Sequence, residues 1–192
     1  VYISTYMFMS KQIHIPICSI HYYKTVKIHE CIIMLMYEVS GEVMLNGEQL
    51  TGRKFTEHCA LVPAHFVDFS YLTCRETLDF SLKLRKNMPA EMRQAALNDM
   101  LKRLGLEACQ HTRVGSTSLR SMSTGELKRL SIALAVTSSP AVLLLDEPTS
   151  GLDSAAAENI MDLVANLAHT TDMIVVCSIH QPSSQIFCAL RS

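Results

Sequence analysis

Glycine is scarce in this chain, and its first forty residues contain none. That excludes a phosphate cradle of the form GxxxxGK[ST] from residues 1–40, because such a loop needs glycine to crowd backbone N–H groups around phosphate oxygens. Net charge is almost absent too. Seventeen Lys and Arg against eighteen Asp and Glu leave a formal charge of −1, which excludes the basic footprint of a nucleic-acid binder. Long apolar runs are missing. The longest near the start, residues 31–37, is far too short to span a bilayer, and Lys11, Lys24, Lys27 and Glu30 interrupt the region around it. No basic segment precedes the first hydrophobic residues, so a secretory signal of the usual form is not expected. Action at a membrane would then run through a partner or through chain beyond these residues. Finally, the seven cysteines include no CxxC pair, and their odd number points to a reduced, cytosolic setting. Cys18, His21, His29 and Cys31 are of metal-binding types, but His29-x-Cys31 is too tightly spaced for a usual zinc pair. Ordinary thiols and histidines are expected there.

What is present is a chain of 192 residues, 48% apolar, enough for about one domain with its own core. Residues 1–40 show neither a clear period nor turn chemistry and stay unassigned. At SGEVMLNGEQL (40–50) the character changes. Val43 and Leu45 alternate with Glu42 and Met44, and Asn46-Gly47 is a hairpin signal. CALV (59–62) reads as a short buried strand stopped by Pro63. LTCRETLDFSLKLRK (72–86) is ambiguous. Leu78, Phe80, Leu82 and Leu84 alternate like a strand, yet Thr73 and Glu76 form a capping box and the run ends in basic residues, which favours a helix. A second helix is expected to open at Pro89, bury Leu97, Met100, Leu101 and Leu104, and end at Gly105. Residues 68–118 thus read as a helical block inserted between strand-bearing regions.

SMSTGELKRLSIALA (121–135) opens with another capping box, Ser123 and Glu126. Leu127, Leu130, Ser131 and Leu134 follow at helical spacing. Gly125 leaves N–H groups unshielded in a first turn whose dipole favours negative charge, so this end is suited to a phosphate. It has no lysine in the cradle and no glycine-rich loop before it. Farther on, residues 142–145 and 173–177 are continuous apolar runs. Between them Ile160, Leu163, Val164 and Leu167 mark a helix starting near Asp153 or Ser154. Strand, helix and strand at this spacing make a βαβ unit on a parallel sheet, with ligands expected beyond the strands' carboxyl ends, where Asp146, Glu147 and His180 fall.

The run VLLLDEPTSGLDS, followed some thirty residues later by VVCSIHQPSSQIF and preceded by MSTGELKRLSIA, resembles the nucleotide-binding domain of an ATP-binding-cassette (ABC) transporter. GEVMLNG, LTCRETL, KRLSIA, DEPTSGLDS and SIHQPSSQIF are most similar to its G subfamily, of the white and pleiotropic-drug-resistance type. The resemblance covers residues 41–192, about four-fifths of the chain. It implies an α/β fold: a P-loop-NTPase-like core with a parallel sheet and an inserted helical subdomain (68–118), then a region (119–192) holding signature, Walker B, D-loop and switch histidine. It implies ATP and Mg²⁺ as cofactors. Asp146 matches the Walker B aspartate that holds Mg²⁺ through water, and Glu147 the carboxylate that orients and deprotonates the attacking water. His180 matches the switch histidine on the γ-phosphate, and Ser150-Gly151-Leu152-Asp153 the D-loop. Ser123, Thr124, Gly125 and Glu126 belong to the signature motif. In that family two domains close head to tail, so this motif would cap ATP held by a partner domain. Adjacent strand residues point to opposite faces, so a turn at Pro148 is expected to bring both carboxylates to the phosphate.

The resemblance also exposes departures. The P-loop would have to lie before Gly41, where no glycine exists. Ala64 in LVPAHF stands where the Q-loop glutamine is expected, beside His65, and Thr124 stands where the family commonly has the first signature glycine. The chain is therefore expected to be an incomplete piece of a longer membrane protein, on the cytosolic face, with a transmembrane domain elsewhere. By itself it is expected to lack turnover. A non-catalytic half that completes a partner's ATP site is the alternative. A soluble ABC ATPase of translation or DNA repair ranks lower, since there is no tandem cassette, coiled-coil insert or basic face. The implied export of lipids or hydrophobic compounds rests on analogy with the G subfamily alone.

Overall fold

The computed structural model describes residues 4–8, 44–45, 48–49, 51–65, 71–85, 87–115 and 121–179. Along the chain these form β1 (Ser4–Phe8), β2 (Met44–Leu45), β3 (Glu48–Gln49), α1 (Gly52–His58), β4 (Cys59–Val62), α2 (Cys74–Arg85) and α3 (Ala90–Arg103). There follow α4 (Thr124–Val136), β5 (Val142–Asp146), α5 (Ser154–Thr171) and β6 (Ile174–Ile179).

The central sheet has the order β1-β6-β5-β4. β4, β5 and β6 are parallel, with Leu145 opposite both Val62 and Cys177, and Asp146 opposite Ser178. Long apolar runs suit β5 and β6 because a parallel sheet is covered on both faces. The expected βαβ unit is present as β5-α5-β6. α5 starts where Asp153 accepts a hydrogen bond from the Ala156 N–H at 2.7 Å, and it ends at Asp172, whose φ of +58° is left-handed. Its buried residues, Ala157, Ile160, Met161, Val164, Leu167 and Ala168, recur at three- and four-residue steps and so form one face.

Two strands differ from expectation. β4 is a strand, but at the described sheet edge it buries only Val62 well, and Leu61 is 42% exposed. β1 arises in the unassigned region and pairs antiparallel with β6, Ser4 opposite Ile179 and Phe8 opposite Val175. Its carboxyl end, Phe8, therefore lies at the opposite end of the strands from Asp146. The hairpin signal is met by β2 and β3, which pair antiparallel around positions 46–47. α1 has no counterpart in the sequence reading. It is short, buries no residue and has no side-chain cap, so it offers no periodic signal.

α2 resolves the ambiguous alternation of its sequence. Leu78 and Leu82, four apart, are fully buried, while Phe80 and Leu84 are 52% and 71% exposed. Helical spacing separates residues that a strand would have placed on one face. The box holds as expected: the Thr73 N–H and hydroxyl donate to Glu76 Oε2 at 2.8 and 2.9 Å, and the Glu76 N–H donates to Thr73 Oγ1 at 3.3 Å. α3 begins after Pro89, buries Leu97 and Leu101 with Leu104 just beyond, and stops at Gly105, whose φ of +62° suits glycine. Arg75 ties α2 to α3 and the following turn, donating to Gln110, Gln94 and Asn98. One core joins these helices to the sheet through Leu78, Leu97, Leu130, Leu143, Ile160 and their neighbours.

Candidate functional site

The site grows from the ends of β5 and β6. Asp146, the last residue of β5, is 9% exposed, and its Oδ1 accepts from the Ser178 hydroxyl at 2.9 Å. The same hydroxyl accepts from the Glu147 N–H at 3.0 Å. Ser178 thus fixes one carboxylate and the backbone of the next, and nothing in the chemistry of a lone buried serine advertises this in the sequence. The expected reversal at Pro148 occurs one residue earlier. Glu147 itself has φ +45°, a left-handed backbone that costs a non-glycine residue about 1–2 kcal/mol and clusters at functional sites. Its carbonyl accepts from the Ser150 N–H at 3.1 Å, closing the turn that leads toward α5.

The helix that begins at the signature residues is built as predicted. Ser123 is the N-cap of α4, and a full capping box is present. The Ser123 N–H and hydroxyl donate to Glu126 Oε2 at 2.7 and 2.9 Å, and the Glu126 N–H donates to Ser123 Oγ at 3.3 Å. Burial pushes the Glu126 carboxyl up, but hydrogen bonds from Ser123 and Cys109, with Arg129 nearby, outweigh it and hold the pKa below the ordinary value. The serine proton is therefore committed to Glu126. The N–H groups left over at the helix start are those of Thr124 and Gly125, which have no intrahelical acceptor. Thr124 is exposed and takes an ordinary helical backbone, so the hydroxyl residue fits there without strain. A Cβ added to Gly125 would meet only Leu152 Cδ2, at 4.0 Å. The domain's own packing does not require glycine at this position; the near neighbour it does have lies in the turn between β5 and α5. Asp153 is exposed and caps α5.

Lys128, one turn into α4, was missed by sequence reading. It is 6% exposed, and its ammonium donates to the carbonyls of Ala64 at 2.6 Å and Glu147 at 3.1 Å. Burial lowers its pKa, opposed by the nearby Asp146 and Glu147 carboxylates. The only early hint is its place in α4: with Leu130 and Ser131 buried, a lysine at 128 lies on the inward side. His180 follows β6 directly but lies outside the described residues, as do Cys18, His21, His29 and Cys31. The four described cysteines, Cys59, Cys74, Cys109 and Cys177, form no disulfide with one another. Burial pushes Cys74 and Cys177 up to about 12, which keeps them protonated and unreactive. A groove of about 540 Å³ between α1, β4 and α4, lined in part by Phe55, Leu61 and Leu134, is separate: none of the carboxylates lines it. Among the described residues no helix is long and apolar enough to cross a membrane.

Three parallel strands, the middle one ending in Asp146-Glu147, with helices α2 to α4 intervening between β4 and β5, make an α/β fold of the ABC ATPase class. The ABC transporter family profile matches residues 27–150, well over half of the chain, and the chain belongs to that family. It is a nucleotide-binding domain of the G subfamily. ABC transporter G family member 25 of Arabidopsis thaliana is 38% identical over 151 residues, 78% of this chain and 23% of that protein. ATP-binding cassette sub-family G member 8 of Rattus norvegicus is 37% identical over 150 residues, 77% of this chain and 22% of that protein. This chain thus spans about a quarter or less of the length of these relatives. Among solved structures, a dimeric post-hydrolysis state of an ATP-binding cassette bound to ADP and Pi superposes with a TM-score of 0.60 at 26% identity, covering 79% of this chain and 66% of that one. A Clostridium perfringens part of the ABC transporter complex cbiONQ gives a TM-score of 0.63 at 22% identity, covering 74% and 57%, and speaks for the fold alone.

Proposed function

We propose that this chain serves as the ATP-binding and ATP-hydrolysing domain of a G-subfamily transporter, on the cytosolic face of a membrane and driving transport through a transmembrane domain. The observation that carries this is the strand-end arrangement of Asp146, Ser178 and left-handed Glu147. Phosphoryl transfer asks mainly for positioning and charge stabilisation. Asp146 keeps one oxygen on Ser178 and, as a carboxylate at the strand end, has the donor chemistry to hold Mg²⁺ through water. Magnesium, when bound, neutralises charge on the phosphates. Glu147, only partly buried, is aimed off the strand by its backbone and is the base for the attacking water; His180 is assigned the γ-phosphate contact. Residues 41–192 form this partial domain, with 68–118 as its helical subdomain and 119–192 carrying the signature, Walker B, D-loop and switch regions.

The other half of the site would come from a second nucleotide-binding domain in a head-to-tail pair. Thr124 and Gly125 N–H groups, with Ser123 once its hydroxyl leaves Glu126, are suited to cap a phosphate on that partner, and Asp153 sits across the same junction. The vacant space around Gly125 supports this, since a close-approaching phosphate is what a missing Cβ would admit. The resident phosphate cradle does not fit: residues 1–40 have no glycine, and β1 runs antiparallel, so a loop leaving its carboxyl end starts away from Asp146. That favours a second reading, in which this chain only donates its signature to a partner whose P-loop is intact.

Turnover separates the two. ATP hydrolysis by the purified chain, abolished by Glu147→Gln, supports the first reading. Absence of turnover together with ATP-dependent pairing to a P-loop-bearing G-subfamily cassette, lost in Gly125→Asp, supports the second. Neither turnover nor pairing would sink both.

A further inference from the structure

A buried lysine needs a reason, because removing an ammonium from water is costly unless acceptors and opposite charge replace the solvent. Lys128 finds both. Its two carbonyl acceptors belong to different segments, Ala64 just beyond β4 and Glu147 just beyond β5, while Lys128 itself belongs to α4. One side chain therefore pins three elements together at the carboxylate end of the sheet.

The Glu147 peptide is held at both ends. Its N–H donates to Ser178 Oγ at 3.0 Å, and its carbonyl accepts from Lys128 at 3.1 Å as well as from the Ser150 N–H. Glutamate does not adopt φ +45° unaided, and the direction in which its carboxylate leaves the backbone is set by that angle. Ser178 is anchored in β6 and Ser150 lies in the same turn, so Lys128 is the contact that ties Glu147 to the helix whose first residues face the partner.

We propose that Lys128 is a positioning residue that clamps the Glu147 backbone in its left-handed form and couples the start of α4 to that carboxylate. The role rests on the reading of Glu147 as the hydrolytic carboxylate, but the clamp itself exists without nucleotide and can be tested without it. The class of effect is mechanical: a shift of α4 at Ser123 is passed through Lys128 to Glu147 and, in the same motion, to the segment at Ala64.

The test is NMR on the isotope-labelled whole chain with no nucleotide. In the unaltered protein the Lys128 ammonium protons should exchange slowly with water and show through-hydrogen-bond coupling to the carbonyl carbons of Ala64 and Glu147. In Lys128→Met the Glu147 Cα and carbonyl shifts should leave the left-handed range, and its amide should exchange about tenfold faster, while the core amides of Leu130 and Leu143 keep their protection. Lys128→Arg, which still donates, should restore part of the Glu147 signature. A folded Lys128→Met with unchanged Glu147 shifts and exchange overturns the clamp. So does absence of the ammonium coupling in the unaltered chain, which needs no variant to fold. Loss of the ATP reading, by contrast, would show as missing turnover and pairing with the Glu147 signature intact.

Discussion

Two helix starts in this molecule are close to chemical copies. Thr73/Glu76 opens α2 and Ser123/Glu126 opens α4. Their hydrogen bonds agree to a tenth of an ångström: 2.8, 2.9 and 3.3 Å in the first, 2.7, 2.9 and 3.3 Å in the second. They even lie side by side, since Thr73 and Ser121 both bridge to Arg113. Yet one is scaffold and the other is the candidate partner-facing site. What differs lies one turn further in. α2 continues into Asp79, paired with Lys83 and Arg93 in partly exposed contacts. α4 continues into Lys128, which enters the sheet's acidic end. A capping box marks where a helix begins, and tertiary placement decides whether that beginning meets a ligand.

Core truncation should blur this comparison most. Leu78→Ala in α2 and Leu130→Ala in α4 each empty a fully buried site and are expected to cost ~2–5 kcal/mol in urea unfolding, alike for both helices. A clear asymmetry would mean that the two helices are not in one cooperative core.

Function should split them. Gly125→Asp places a carboxylate where a partner's phosphate would come, and ATP-dependent pairing measured by analytical ultracentrifugation should weaken at least about tenfold, ~1.4 kcal/mol. Thr73→Ala should leave pairing unchanged. Equal losses from both would remove the distinction.

Cap removal should unite them again. Thr73→Ala and Ser123→Ala are each expected to lower stability by about 1 kcal/mol, read from denaturation midpoints.

The smallest contrast is in pH. The Glu76 carboxyl is lowered by the Thr73 backbone and hydroxyl, and Glu126 is lowered on balance by Ser123 despite burial. A lowered folded pKa stabilises above the ordinary value of 4.5, and the gain is lost as pH falls through the folded pKa. Glu76→Gln and Glu126→Gln should therefore flatten the acid limb of stability. At the alkaline end the two helices should pull in opposite directions: the Cys74 thiol of α2, raised by burial to about 12, costs stability as pH climbs past the ordinary thiol value of 9.0. Lys128 has a lowered folded pKa, so the native state sheds its proton first, and its own contribution to stability should rise as pH climbs from that value toward 10.5. Lys128→Met should remove that contribution, so thermal midpoints across pH 8 to 11 fall more steeply than in the unaltered chain (on the order of a few degrees for 1 kcal/mol).

Much of this was readable in advance because the signals are local. The βαβ unit follows from two apolar runs and one 3.6-residue stripe. Both capping boxes and the Asp153 cap follow from side chains bonding to their own helix start. Gly105 ends α3 because a left-handed residue is wanted there. By contrast, α1 has no buried stripe to announce it, β1 is held by partners 167 or more residues away, and the exposure of Leu61 depends on which strand occupies the sheet edge.

By itself, then, the sequence determined the family, the order of the elements from β4 to β6 and the place of Asp146 and Glu147 at a strand end, since periodicity, caps and motif spacing act over a few residues. Only the tertiary structure decided that Glu147 turns left-handed, that Ser178 joins it to Asp146, and that a lysine buried in α4 reaches both Ala64 and Glu147. Those contacts join residues 19 to 64 positions apart. A hydrogen bond across such a separation exists only once the sheet and its covering helix have packed, and no local pattern encodes it.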